Sequence, residues 1–502
     1  MLCNIDVLDK YPVGVTHLPA VQRVISTPPQ YRILIRLLGT QPRSSFYWDT
    51  ANPSSTWVFT METQSASGAT PSAQQTHLPD AVTAALDYEK DSWSNGSIKT
   101  DAFYKVPDGT ANHSAGTLIK VEEDANSSLY TLPPNTALSR FIYQSKSLNG
   151  NLVPVSAYVL WPMSPRNQSD GYQVVAWAHG TIGLSEECAP SHFRNLWQHF
   201  LAPFQLALQG YVVVATDYAG LGVEKDATGN HITHEYMASP AAANDVVYSV
   251  QAARQAFPQL SQSFVVVGHS QGGGAAWATA EKNALSPITG YLGAVAVSPA
   301  TNVLENPDPI VTILGAAMAP GTASAFPDFR FEDIFTPEGL QTMQTLLRIE
   351  GCSAVGNNLL IRPALTGNLL QPSWKANPWV KKYNLITKSG GRRILGPLLV
   401  VHGEDDPLLK FELTVNAVNA TVSLYPSSQL EFLRLPNTSH VPALTGSQRV
   451  WMDWIADRFS GLEVEPFNEN STSTAILARP ASAYAPELNW FVGLATEPYQ
   501  TP

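Results

Sequence analysis

The chain predicts an α/β fold, a mostly parallel central sheet flanked by helices, with a mainly helical insertion in its second half. Three observations predict it. The middle of the sequence carries short, uninterrupted, β-branched-rich runs, as strands do when helices cover both faces and neither face meets water. Helix-like segments separate these runs, as parallel crossovers require. Between about Leu304 and Arg393 the alternation stops, and helix-like stretches mixed with Pro and Gly take its place.

Taken in order, residues 1–95 show weak periodicity and are broken by Pro28-Pro29 and by the polar run Thr63 to Gln75, which predicts an irregular extension. Ala137 to Ser147 and Val153 to Trp161 alternate apolar with polar residues, the pattern of half-buried antiparallel strands. The buried runs are Val174 to Trp177, Tyr211 to Ala215, Phe264 to Val267, Ala294 to Val297 and Leu398 to Val401. Ser239-Pro240 supplies an N-cap and a first-turn proline to a helix over Ala241 to Phe257. Gln271 to Asn283, rich in small residues, predicts a helix directly after a strand. Ser447 to Phe459 sets Val450, Trp451, Trp454, Ile455 and Phe459 on one face, the stripe of an amphipathic helix. The expected division is an extension (1–95), a core in two parts (96–303 and 394–462), a cap between them (304–393) and a C-terminal tail (463–502). An insertion of that size in a doubly wound sheet folds over the strand ends, where ligands bind.

Composition removes several function classes. Of the 502 residues 44% are hydrophobic and 14% charged, and the formal net charge is −11, so a nucleic-acid partner would meet broad repulsion. No run approaches the roughly 18 apolar residues of a membrane span. The start Met1-Leu2-Cys3-Asn4-Ile5-Asp6 lacks the basic and apolar regions of a signal peptide. Seven Asn-x-Ser/Thr sequons, beginning at Asn95, Asn112, Asn126, Asn167, Asn419, Asn437 and Asn470, point the other way and leave localisation open. One bridge, Cys188 to Cys352, is available in an oxidising compartment; in a reducing one both are buried thiols. No cofactor or metal is expected, because no phosphate loop, dinucleotide fingerprint or metal-ligand cysteine spacing is present.

The sharpest chemical signal is Gly268-His269-Ser270-Gln271-Gly272, immediately after the strand Phe264 to Val267 and immediately before a helix. A Gly-x-Ser-x-Gly string arises by composition alone in roughly one chain in ten of this length. Its strand–turn–helix setting is what identifies a nucleophile elbow, and with it the expected fold becomes an α/β-hydrolase fold. Glycines two positions either side of Ser270 let the backbone bend sharply and hold the hydroxyl clear of the sheet.

A serine hydroxyl needs a base to take its proton and an acid to orient that base. In this fold the chain order is Ser, then Asp or Glu, then His. His440 is the expected base, on the loop between the strand-like Leu430 to Leu435 and the last helix; His402, ending an earlier strand, is the other histidine weighed. The acid falls in His402-Gly403-Glu404-Asp405-Asp406-Pro407, where Asp406 is preferred over Asp405 and Glu404 because the acid usually stands three positions after the glycine of this turn. Oxyanion donors are expected at the backbone N–H of Gln271 and, in the loop His179-Gly180-Thr181-Ile182-Gly183, at the N–H of Thr181. His179 reads as a pin for that loop. Asp217-Tyr218, at the end of a strand, could line the mouth of the site, although a structural Asp is the commoner case there, and His231-x-x-His234 reads as a chance pair, since no third metal ligand is in view.

With these residues placed, the chain resembles the secretory lipase family of fungi and bacteria. The blocks that carry the resemblance are Ala178-His179-Gly180-Thr181 with Cys188-Ala189-Pro190-Ser191, Asp217-Tyr218-Ala219-Gly220-Leu221-Gly222, and Gly268-His269-Ser270-Gln271-Gly272-Gly273, in that order; Phe103-Tyr104 and Ser145 to Val155 are similar to its entry segment. The likeness runs over about residues 100–460. It implies an α/β-hydrolase core with a helical cap and the hydrolysis of a small-molecule ester or lipid. Residues 1–95 and the lack of a signal peptide in the sequence as it stands depart from that pattern, so either the true start lies elsewhere or this member works inside the cell. A member working inside the cell would be a natural-product (polyketide-type) tailoring hydrolase or acyltransferase using the same triad. A binding module without catalysis is a third reading, against which the complete triad and oxyanion loop argue.

Overall fold

The buried apolar runs become strands of one sheet. The computed structural model describes residues 78–197 and 202–485, and also two short strands, β1 (Ser45–Tyr47) and β2 (Val58–Thr60), which pair antiparallel in a separate N-terminal unit. The rest of the expected extension and the end of the expected tail lie outside the described residues. The second unit runs through α1 (Asp80–Asp91), β3 (Leu118–Glu122), β4 (Thr136–Lys146), β5 (Leu152–Pro162), β6 (Asn167–Gln168), β7 (Gly171–Ala178), α2 (Ala202–Leu208), β8 (Val212–Thr216), α3 (Ser239–Ala256), β9 (Leu260–His269), α4 (Gln271–Leu285) and β10 (Tyr291–Val297). Next come α5 (Ile310–Ala317), α6 (Ala319–Ala325), α7 (Pro337–Arg348), α8 (Ser353–Leu365) and α9 (Pro378–Thr387). The chain then returns through β11 (Leu398–Gly403), α10 (Phe411–Leu424), β12 (Leu430–Leu435), α11 (Pro442–Gly446), α12 (Gln448–Phe459) and β13 (Thr472–Thr474).

The strand order is β13-β12-β11-β10-β9-β7-β8-β5-β4-β3, with β6 paired beside β7. Pairing is parallel from β13 to β8 and antiparallel from β8 to β3. The two-residue period of each strand divides its side chains between two cores. Val174, Ala176, Val266, Ala296 and Val400 pack on one face under α3, α4 and Val418 of α10. Val175, Trp177, Val265, Val297 and Val401 pack on the other under α2 and under Trp451, Trp454 and Ile455 of α12. Each fully buried Val or Leu contributes about 1.5–3 kcal/mol, so this double covering is what makes the run composition necessary. Because the strands are parallel, the loops leaving β7, β9, β11 and β12 all emerge at one edge, where the candidate residues stand.

Two expectations need correction. Residues 80–91 are a helix rather than irregular chain: Val82, Ala85, Leu86 and Glu89 recur at helical spacing and face the cluster of Val311, Met343, Leu346 and Val355 from the later helices. The pattern was hidden because one of its inward positions is an acid. Glu89 is buried and accepts hydrogen bonds from the N–H groups of Cys352 and Val355, each at 2.9 Å, so it caps the N-terminus of α8, whose own N-cap side chain makes no such bond. In the tail, Thr472–Thr474 adds β13 to the edge of the sheet, a strand too short to leave a periodic trace.

Burial pushes the Glu89 carboxyl up to about 7, against the pull of the α8 amides. A carboxyl with a higher pKa folded than unfolded binds its proton more tightly in the fold. Its contribution is therefore complete below about 4.5 and is lost as pH rises toward 7. Glu89→Gln removes that ionisation and keeps an acceptor oxygen. Urea denaturation at pH 5 and pH 8 should find a smaller loss of stability across that interval in the variant than in the parent.

The Cys188–Cys352 bridge forms, joining the loop after β7 to the start of α8. The Ser353 N–H donates to the Ile182 carbonyl at 2.6 Å across the same seam. The asparagines of all seven sequons are exposed. Among the described residues no helix is long and apolar enough to cross a membrane.

Candidate active site

Ser270 stands between β9 and α4 with φ 59° and ψ −119°, a conformation that costs a non-glycine residue about 1–3 kcal/mol. The surroundings hold it there. Its N–H donates to the Val297 carbonyl at 3.0 Å, and its carbonyl accepts from the Ala300 and Gly274 N–H groups, both at 3.1 Å. The flanking glycines are needed for space as well as for the bend. A Cβ on Gly268 would lie 2.0 Å from the Gly272 carbonyl oxygen, and one on Gly272 would lie 1.9 Å from that of Ala178. Both obstacles are backbone, so relief would part α4 from β9 in the first case and from β7 in the second. Gly272→Ala should lower stability by about 3 kcal/mol or more, read as a fall in melting temperature with loss of any esterase activity.

The structure brings Asp406 and His440 together. His440 Nδ1 lies 2.6 Å from Asp406 Oδ2, so the ring donates from Nδ1, and its Nε2 has no partner among the described residues. Asp406 Oδ1 accepts from the Leu408 and Leu409 N–H groups at 2.8 and 2.9 Å. Burial alone would raise the Asp406 carboxyl, but His440 and the His402 hydrogen bond hold it well below the usual carboxylate range. Asp405 is exposed, and Glu404 pairs with Arg434 at 2.8 Å.

Ser270 is half-buried, and its hydroxyl makes no hydrogen bond among the described residues. Its neighbour His269 connects the two loops. The His269 ring centroid is 4.7 Å from that of His440, and its Nε2 donates to the His440 carbonyl at 3.1 Å. Ser298 Oγ donates to the same carbonyl at 3.3 Å. Burial, aided by His440, brings His269 down to about 3, which keeps it neutral and fit for this bridging part. Sequence reading gave His269 no role; its place inside the elbow motif was the available signal.

Neither candidate oxyanion donor is used inside the protein: among the described residues, the backbone N–H groups of Thr181 and Gln271 donate to no protein acceptor. The Gln271 N–H opens α4, where the helix dipole favours negative charge. Thr181 is oriented by its neighbour. His179 is buried with Nδ1 2.7 Å from the Gly180 carbonyl and Nε2 3.2 Å from that of Asp217, its ring 4.2 Å from Tyr218. A trans peptide points its C=O and N–H in opposite directions, so tying the Gly180 carbonyl inward turns the Thr181 N–H outward. Burial lowers His179 to about 4, leaving it neutral at physiological pH. Thr181 Oγ1 also meets the Tyr236 hydroxyl at 2.7 Å, and the Tyr383 hydroxyl of α9 donates to the Tyr236 carbonyl.

The secondary features resolve into support. Asp217 is fully buried and accepts from Ser156 Oγ at 2.6 Å and from Ser191 through its N–H at 2.8 Å and Oγ at 2.5 Å, so it ties strands and loops together. His234 donates from Nδ1 to the Ala219 carbonyl at 3.0 Å and receives the Gln271 side-chain amide on Nε2 at 3.3 Å. Nδ1 thus fixes the ring on the loop after β8, and Nε2 holds the side chain of the residue that follows Ser270.

Comparison with known proteins agrees with the fold described above. The sequence pattern of the alpha/beta hydrolase family matches residues 175–451, more than half the chain. No curated protein sequence matches. Among solved structures, the chain is similar to Candida antarctica lipase A in its closed state, with 16% identity, a TM-score of 0.59, and coverage of 76% of this chain and 93% of that one. It is similar to the rice cell wall degrading esterase LipA from Xanthomonas oryzae at 17% identity and a TM-score of 0.53, covering 69% and 98%. A Legionella pneumophila protein described as a putative hydrolase matches at 18% identity and a TM-score of 0.55, covering 68% and 98%. At such identities these likenesses concern the fold.

Proposed function

Because the chain belongs to the alpha/beta hydrolase family, we propose that it is a serine hydrolase of carboxylic esters that works through an acyl-enzyme on Ser270. The observation that carries this reading is the His440–Asp406 hydrogen bond, 2.6 Å long on Nδ1, which leaves Nε2 as an unengaged base in the loop that the neighbour of Ser270 braces. Approach of an ester brings Ser270 Oγ into reach of that nitrogen. His440 takes the hydroxyl proton as Oγ attacks the acyl carbon, and the resulting imidazolium is stabilised by the ionised Asp406. The tetrahedral oxyanion is met by the Thr181 and Gln271 N–H groups. His440 then protonates the leaving alkoxide, the alcohol departs, and water repeats the sequence to release the acid. Likeness to a lipase and to an esterase among solved structures supports the choice of an ester as substrate.

A panel of p-nitrophenyl esters of increasing acyl length tests this. Hydrolysis of some member, lost in Ser270→Ala, is the expected result. Silence on every ester with fluorophosphonate labelling of Ser270 intact would move the reading to an acyltransferase or tailoring enzyme. Failure of both would remove catalysis from the account.

A further inference from the structure

Asp406 serves two histidines, and sequence reading accounts for one. We propose that His402 is a positioning residue for the candidate triad, holding the Asp406 carboxylate in the rotamer and charge state that His440 requires. This rests on the assignment of Ser270, Asp406 and His440 above.

His402 ends the apolar run of β11 and is fully buried. Its Nε2 lies 3.0 Å from Asp406 Oδ2 and 2.9 Å from the Leu409 carbonyl oxygen, two groups that can only accept. Nε2 therefore carries the proton. Its Nδ1 is buried with no hydrogen-bond partner among the described residues, so a second proton there would be stranded, and the ring acts as a neutral donor. With Oδ1 held by two backbone N–H groups, Oδ2 is shared between His402 and His440. The carboxylate cannot rotate without breaking a bond at each oxygen. Sharing also divides the charge that His440 feels.

The other groups around the cluster leave this role to His402. His269, on β9, is held neutral by burial, Glu404 and Arg434 pair with each other across β11 and β12, and Asp405 and Lys410 face solvent. Loss of the His402 bond would leave the whole Oδ2 charge on His440. That strengthens the attraction of Asp406 for the positively charged form of the His440 ring.

The test compares His402→Gln, whose amide nitrogen replaces Nε2, with His402→Asn, whose shorter side chain cannot reach Asp406. Purified full-length variants are assayed on the best p-nitrophenyl ester across pH. His402→Asn should lower kcat about tenfold with KM within about twofold, and move the acid limb of kcat/KM upward by roughly half a pH unit. His402→Gln should recover most of kcat and return the limb. Circular dichroism must show both folded; if the Asn variant does not fold, His402→Leu takes its place with the same expectation. Equal impairment of the two variants with an unmoved acid limb would make His402 a packing residue and overturn the proposal, as would parental kinetics in both. If His440→Ala retains parental activity, the triad assignment itself has failed; if it is inactive while the His402 variants behave as the parent, only the positioning role has.

Discussion

Ser270→Ala is expected to reduce kcat/KM on p-nitrophenyl esters by on the order of 10⁴-fold or more, with little change in melting temperature. The two halves of that expectation have separate reasons. Activity should vanish because, among the described residues, no other hydroxyl stands at a comparable strand-to-helix bend with an unengaged helix N–H beside it. Stability should persist because the Ser270 hydroxyl makes no hydrogen bond among the described residues, so its removal strands no partner. The backbone bonds to Val297, Ala300 and Gly274 survive the substitution and keep the bend. Parallel measurement of ester turnover and thermal unfolding checks both halves.

The second large effect separates two adjacent aspartates. Asp406→Ala removes the acceptor for His440 Nδ1, His402 Nε2 and the Leu408 and Leu409 N–H groups together. Activity should fall by on the order of 10³- to 10⁴-fold, and stability by about 3–5 kcal/mol, because the buried rings of His402 and His440 and the Leu409 N–H lose the carboxylate they share. Asp405→Ala trims an exposed side chain and should stay within about 0.5 kcal/mol and about twofold in activity. The pH dependence follows with a definite sign. Asp406 has a lower pKa folded than unfolded, so its contribution is present above the ordinary carboxylate range and is lost as the solution is acidified through the folded value. Asp406→Asn should therefore be less sensitive to acid than the parent. Similar losses for Asp405 and Asp406 in paired assays and denaturation curves would contradict the assignment of the acid.

Much of the fold was legible because parallel strands covered on both faces leave a local mark. Val174 to Trp177 or Leu398 to Val401 can be read without knowing their neighbours. What could not be read depended on contacts between distant segments. Glu89 sits on an inward face because the open end of α8, more than two hundred residues away, accepts it there. The short strand Thr472–Thr474 exists only because β12 offers an edge. The pairing of Cys188 with Cys352 was one of two open outcomes until Gly183 and Ser353 were seen to bring those chains together.

The candidate site was legible to a similar depth. Ser270 announces itself through glycines whose absent Cβ atoms the local backbone demands. Asp406 could be chosen among three carboxylates from turn spacing alone, and the structure adds the four donors that distinguish it from its neighbours. From the sequence alone His402 reads only as a rival base. A histidine that ends a strand four positions before an acid can reach that acid, but nothing in the spacing says whether it will donate to the carboxylate or to solvent. The bridging of His440 by His269 is likewise invisible until β9 and the loop after β12 are set side by side.

The most direct measurement asks whether His440 activates Ser270. The protein is treated with a fluorophosphonate, digested, and the modified residue located by mass spectrometry, with the labelling rate compared between the parent and His440→Ala. A single adduct on Ser270, formed at least about a hundredfold more slowly in the variant, is the predicted result. An adduct on another residue, or labelling of Ser270 at the parental rate once the imidazole is gone, would contradict it.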